Sequence, residues 1–176
     1  MPDQNDNVVS ITATENRSIV SLTVANGSIT QARKQMQLAE PLCAADFEPH
    51  SLWVGPGHWL LVSDTIEPAA LIERSHEALV GIVYNAVDQS AGLAVFRIAG
   101  YGGRELLATG TGLDLRADRF SIGACCRTRL ANIAATVVAT NPETLEIYLD
   151  RSYAHYFGKW LTESMSVTAL VVTAQN

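Results

Sequence analysis

The stretch Ala86–Leu130 reads AVDQSAGLAVFRIAGYGGRELLATGTGLDLRADRFSIGACCRTRL, and it sets how the rest of the chain is parsed. Asp88-Gln89-Ser90 is a turn signal. The β-branched and aromatic run Leu93–Ile98 then suits a half-buried strand. Gly100 stops that strand, Gly102-Gly103 loosen the backbone, and Arg104–Thr109 supplies helix formers before Gly110 and Gly112 end the helix. A loop through Asp114–Ser121 leads to two further extended runs, Cys125–Leu130 and Asn132–Ala139.

On the N-terminal side, residues 1–16 are polar without apolar periodicity and are expected to form a disordered tail. Ser18–Val24 alternates as a strand with one apolar face. Asn26-Gly27 breaks it, Ser28 is placed to cap a helix over Ile29–Ala39, and Pro41 closes that helix. Leu52–Val54 and His58–Ser63 form a hairpin around Gly55-Pro56-Gly57. Asp64 or Thr65 caps the next helix, with Pro68 in its first turn and Leu71, Ile72, Ser75 and Leu79 on one face. Ile82–Val87 is a further strand. On the C-terminal side the pattern gives a strand over Thr144–Leu149, a helix over Arg151–Ser164 and a last strand over Val167–Val172.

The element order is thus written twice, as two similar βαββαβ halves at about 17–88 and 89–176. Local echoes support the repeat: Leu22–Gly27 parallels Arg97–Gly100, and Trp59–Asp64 parallels Glu146–Asp150. Each half has the order of a split βαβ unit, whose helices cover one sheet face and leave the other bare. The halves are therefore expected to share core or exchange strands within one α+β domain spanning 17–176.

With 176 residues the chain is long enough to bury a core of its own. Its 48% hydrophobic and 17% charged residues leave some apolar surface for which a partner subunit is one cover. A net charge of −6 provides no basic field for phosphate backbones, so nucleic acid is not expected. No apolar run approaches the roughly 18 residues that span a bilayer. The polar start lacks the features of a signal peptide, and the expected location is the cytoplasm. Three cysteines, odd in number, do not make a disulfide framework.

The residues that could carry chemistry each have a plainer reading. Cys125 and Cys126 beside Arg127 and Arg129 could make an activated thiol. A strand, however, points neighbours to opposite faces, so a structural role is expected with Cys125 buried. His50, His58, His76 and His155 lack metal-ligand spacing. Asp88 and Ser90 read as a capped turn, since no nucleophile elbow surrounds Ser90. Gly100-Tyr101-Gly102-Gly103 precedes a helix but meets neither phosphate-loop fingerprint. Trp53, Trp59 and Trp160 have core-like neighbours, although a tryptophan such as Trp160 also serves as an interface anchor. Arg97, Arg127 and Arg129 lie among apolar residues, which leaves interface contact and internal ion pairing equally open. No catalytic, cofactor-binding or metal-binding residue is assigned in this chain.

Several of these pieces stand in the order of a known family. They are Asp88-x-Ser90, an apolar strand closed by Gly100, Glu105-Leu106-Leu107-Ala108-x-Gly110, Leu113-Asp114-Leu115, Gly123-x-Cys125-x-x-Thr128-Arg129-Leu130, and Asp150-Arg151-Ser152-Tyr153 before Trp160-Leu161. Together they resemble the gamma subunit of heterotetrameric sarcosine oxidase, a relative of the folate-binding aminomethyltransferase fold. The resemblance implies a non-catalytic subunit that docks on the alpha subunit of a flavin-dependent oxidoreductase acting on N-methyl amino acids, together with beta and delta subunits. It implies that FAD, FMN, NAD and tetrahydrofolate are held by partner subunits. The residue between Asp88 and Ser90 is usually Leu in the folate-binding family and is Gln89 here. Two alternatives are a stand-alone tetrahydrofolate-binding or aminomethyltransferase-like protein, and a cysteine-dependent enzyme.

Overall fold

The computed structural model describes residues 9–14 and 16–173, with side chains as far as residue 166. Its elements in chain order are β1 (Ser10–Thr14), β2 (Ser18–Val24), α1 (Ile29–Met36), β3 (His50–Gly55), β4 (His58–Ser63), α2 (Pro68–Ala78), β5 (Tyr84–Asp88), β6 (Leu93–Ala99), α3 (Gly103–Ala108), β7 (Cys125–Leu130), β8 (Ile133–Asn141), β9 (Thr144–Asp150) and α4 (Ala154–Thr173). The strands form two antiparallel sheets, ordered β3-β4-β2-β5 and β1-β6-β9-β8-β7.

Alternation along each strand sorts its side chains into layers. Val20, Leu22 and Val24 of β2, with Trp59 and Leu61 of β4, pack under α1 and α2. Phe96 and Ile98 of β6 and Ile147 of β9 pack under α3 and α4 against Leu107, Phe157 and Leu161. The opposite faces meet each other. Ile19, Leu52, Leu60 and Val62 from the first sheet form one buried cluster with Val95, Cys125, Val138 and Tyr148 from the second. The layers run helix, sheet, sheet, helix, and the central one is shared by both halves, as the costly bare faces required. This explains the unbroken apolar runs Trp59–Val62 and Ala94–Phe96, which are buried on both sides.

Among the described residues the halves exchange no strand, but a strand ahead of both joins the second sheet, which the pattern did not give. In the first half the last strand, β5, lies beside β2. The equivalent place beside β6 is taken by β1, with Ser10 opposite Ala99 and Thr14 opposite Val95. The expectation of a disordered 1–16 therefore fails for Ser10–Thr14, whose Ile and Thr content suits an edge strand; residues 1–8 and 15 lie outside the described residues. The expected strand over Val167–Val172 fails for the same reason: with its place filled, that backbone continues α4.

Smaller differences concern caps. Ser28 makes no side-chain cap, and α1 ends at Gln37 with a left-handed φ of 52°, ahead of Pro41. Neither Asp64 nor Thr65 caps α2. Ser63 Oγ accepts from the Thr65 and Ile66 amides instead, and Pro68 takes the first turn as expected.

Candidate functional site

The space between the two sheets opens at both ends, and the polar side chains that the fold draws inward gather there. At one end Arg17, in the link between β1 and β2, reaches across both sheets. Its Nε and Nη2 donate to the Asp64 carboxylate at 2.7 and 3.0 Å, and its Nη1 donates to Glu146 Oε2 at 2.7 Å and Tyr148 Oη at 3.0 Å. Tyr148 Oη donates to the same Glu146 oxygen at 2.7 Å. Glu146 is only 6% exposed, so its charge is compensated by Arg17 or not at all. Burial alone would lower the Arg17 pKa, but the bonds to Asp64, the phenol oxygen of Tyr148 and the Glu146 carboxylate outweigh it and hold the guanidinium charged. Burial, then the Glu146 charge, pushes the Tyr148 phenol well above its ordinary range. Arg17, Glu146 and Tyr148 line a cavity of about 220 Å³ with His50 and Thr140.

The other end is a cleft of about 360 Å³ lined by Ser21, His58, Gln89, Arg127 and Asp150 over Leu60, Leu93 and Leu149. His58 Nε2 lies 2.9 Å from Ser21 Oγ. Burial first, and the Arg127 charge second, lower the His58 pKa below 6.5. A base whose folded pKa is depressed stabilises the fold fully above its unfolded pKa, and that contribution is lost as pH falls through the folded value. The His58 ring should therefore titrate below 6.5 by NMR, and Arg127→Ala should move it part of the way back. An unchanged midpoint in the variant would remove Arg127 from the account.

The cysteines behave as the strand argument required. Cys125 points into the layer between the sheets, is fully buried, and its thiol donates to Trp53 O at 3.2 Å. Burial first, then neighbouring Cys126 and Cys43, push its pKa up to about 12, the reverse of an activated nucleophile. Cys126 packs on the helix side of the sheet. Under a maleimide reagent at neutral pH, peptide mass spectrometry should find exposed Cys43 labelled first and Cys125 only at the rate of unfolding. Fast native labelling of Cys125 would contradict its protonated, buried state.

Asp88 and Ser90 form the capped turn: Asp88 Oδ1 accepts from Ser90 N–H at 2.9 Å and Ser90 Oγ at 2.6 Å, while Ile19 N–H donates to Ser90 Oγ at 3.0 Å. Asp150 and Ser152 repeat the turn in the second half at 2.8 and 2.6 Å. Gly100 and Gly102, at φ 103° and 90°, provide the left-handed turn into α3. His50 contacts Ala45 O, His76 bonds to Tyr84 Oη, and His155 is exposed. Among the described residues, no three His, Cys, Asp or Glu side chains gather as a metal site.

Of the residues left open between interface and internal pairing, Arg97 and Arg127 make no ion pair with a described residue, and Arg129 Nη2 donates to Asn132 O at 2.9 Å in the β7–β8 turn. Trp160 packs inward. It stacks on Phe157 at 5.6 Å and 18° and closes over Gly110. Trp59 is buried with Nε1 donating to Ala39 O at 3.0 Å. Sequence reasoning missed Arg17 and Glu146. The usable signal was Glu146 inside the apolar strand Leu145–Leu149, where an inward carboxylate demands a cation.

The sequence matches the family described as "SoxG: Sarcosine oxidase, gamma subunit family" over residues 24–167. The chain belongs to the sarcosine oxidase gamma subunit family. No individually curated protein is matched. Among solved structures, the fold is similar to a chain of heterotetrameric sarcosine oxidase from Corynebacterium sp. U-96 in complex with pyrrole 2-carboxylate, at 22% identity and TM-score 0.80, covering 92% of this chain and 86% of that one. It is also similar to the glycine cleavage system aminomethyltransferase T from Bartonella henselae, at 9% identity and TM-score 0.62, covering 88% of this chain and 45% of that one. The second likeness extends the α+β, aminomethyltransferase-like reading of the gamma subunit family to a transferase fold. Among the described residues no helix is long and apolar enough to cross a membrane.

Proposed function

We propose that this chain is the gamma subunit of a sarcosine oxidase-type heterotetramer, that it packs on the alpha subunit to support the assembly, and that it contributes no catalytic group. The observation that carries the reading is the family match over residues 24–167 on a fold whose reactive side chains are engaged in structure. Cys125 is protonated and buried, Ser90 belongs to a turn, and Glu146 is held by Arg17. In this reading FAD, FMN, NAD and tetrahydrofolate belong to the alpha and beta subunits, a delta subunit completes the assembly, and residues 17–176 act as one domain in the cytoplasm.

Co-expression with alpha, beta and delta subunits tests it: the four chains should co-elute and oxidise sarcosine, while the isolated chain shows neither flavin absorbance nor amine oxidation. Elution of this chain alone in the presence of all three partners would defeat the proposal. A second reading, tetrahydrofolate binding by this chain itself, is favoured by the open cleft beside Arg127 and Gln89. Titration calorimetry with tetrahydrofolate separates the two.

A further inference from the structure

Strand alternation decides what faces the cleft beside His58. Cys125, Val138, Leu60 and Ile19 point into the layer shared by the two sheets. Two positions away on the same strands, all at the cleft, stand Arg127, Thr136, His58 and Ser21, so four apolar rows turn polar together where the sheets part. The walls stay apolar there. Leu60, Leu93 and Leu149 line the same space of about 360 Å³. An apolar cleft of that size with a few convergent polar groups has the make-up of a small-molecule site.

The polar groups are not matched to one another. The Arg127 guanidinium makes no ion pair with a described residue and donates no hydrogen bond to one, although it carries five N–H donors. The carboxylate at the same cleft is engaged elsewhere: Asp150 Oδ1 accepts from Ser152 N–H at 2.8 Å and from Ser152 Oγ at 2.6 Å. His58 and Ser21 hold each other at 2.9 Å, and the Arg127 charge adds to burial in keeping that imidazole neutral. The cleft therefore presents one uncompensated cation beside an apolar wall.

We propose that this cleft binds a small organic monocarboxylate, with its carboxylate on Arg127 and its apolar body over Leu60 and Leu149. The planar guanidinium takes a carboxylate by two parallel hydrogen bonds. With His58 neutral, Arg127 is the one cation among the residues lining the cleft, which is fewer than a phosphate calls for, and inorganic phosphate has no body to set on the leucines. Asp150 on the same wall disfavours a second negative charge. The inference is independent of the gamma-subunit reading. It also asks less of the cleft than tetrahydrofolate does, namely one carboxylate and a short apolar body.

Benzoate is the probe. Added to the isolated full chain, it should shift the His58 ring resonances to saturation with a Kd on the order of a millimolar. It should also move the His58 titration midpoint upward, because a carboxylate on Arg127 offsets the charge that disfavours the imidazolium. Arg127→Ala should weaken benzoate about tenfold or more, and Arg127→Lys by less; the side chain is exposed, so both variants should keep the wild-type melting temperature. Arg129→Ala removes the same charge from a residue outside the cleft lining and should leave benzoate binding unchanged. Benzyl alcohol, which keeps the ring and loses the charge, and inorganic phosphate, which keeps the charge and loses the ring, should each bind at least about tenfold more weakly. Shifts that do not saturate, equal losses in Arg127→Ala and Arg129→Ala, or either control compound binding as tightly as benzoate would overturn the proposal.

Discussion

Arg17→Met should destabilise the isolated chain by about 3–5 kcal/mol, because it strands the Glu146 carboxylate in the layer between the sheets without a cation. Both ionic side chains are largely withdrawn from water, at 13% and 8% exposure, so solvent does little to screen the loss. A chain of this size should then melt roughly 10 °C lower. The informative comparison is the double variant. Glu146→Gln removes the charge and keeps an oxygen to accept from Tyr148 Oη, so Arg17→Met in that background should cost much less. Urea unfolding of the four chains gives the coupling energy. Additive losses would mean that Arg17 acts through Asp64, at the exposed end of the network, and not through Glu146.

Gly110→Ala carries the second large effect. A Cβ at Gly110 would stand 2.5 and 2.8 Å from two ring atoms of Trp160 and 3.2 Å from the Ala131 amide. The indole cannot simply swing away, since it stacks on Phe157, whose own ring meets Phe96 edge-on at 5.2 Å. Overpacking of this kind should cost about 2–3 kcal/mol. Trp160→Leu empties the contested space, so Gly110→Ala should cost well under half as much in that background. Equal costs in the two backgrounds would show that the Gly110 backbone, and not the ring, is what alanine offends.

Much of the architecture was legible because local signals agreed with the final packing. β2, the β3–β4 hairpin and β6 could be read from alternation, Gly-Pro chemistry and β-branched content, and the repeat of βαββαβ order implied a bare face on each sheet that had to be covered. What escaped were outcomes of competition between distant segments. Ser10–Thr14 and Val167–Val172 both have strand-like composition, and nothing local says which of them sits beside β6. Arg17 escaped for a related reason: its partners are 47 and 129 residues away. Cys125 was read correctly because strand alternation is a local rule, and Trp160 stayed ambiguous because its seat is a glycine fifty positions earlier that carries no pattern of its own.

The pairing of β1 with β6 joins positions 89 residues apart, Ser10 to Ala99. During synthesis, β1 must wait, unpaired, until β6 has left the ribosome. The earlier sheet can close without it, whereas the later one completes its border only by going back for a strand made before the earlier sheet. Bulky fusions placed ahead of Ser10 should accordingly slow maturation of the later sheet.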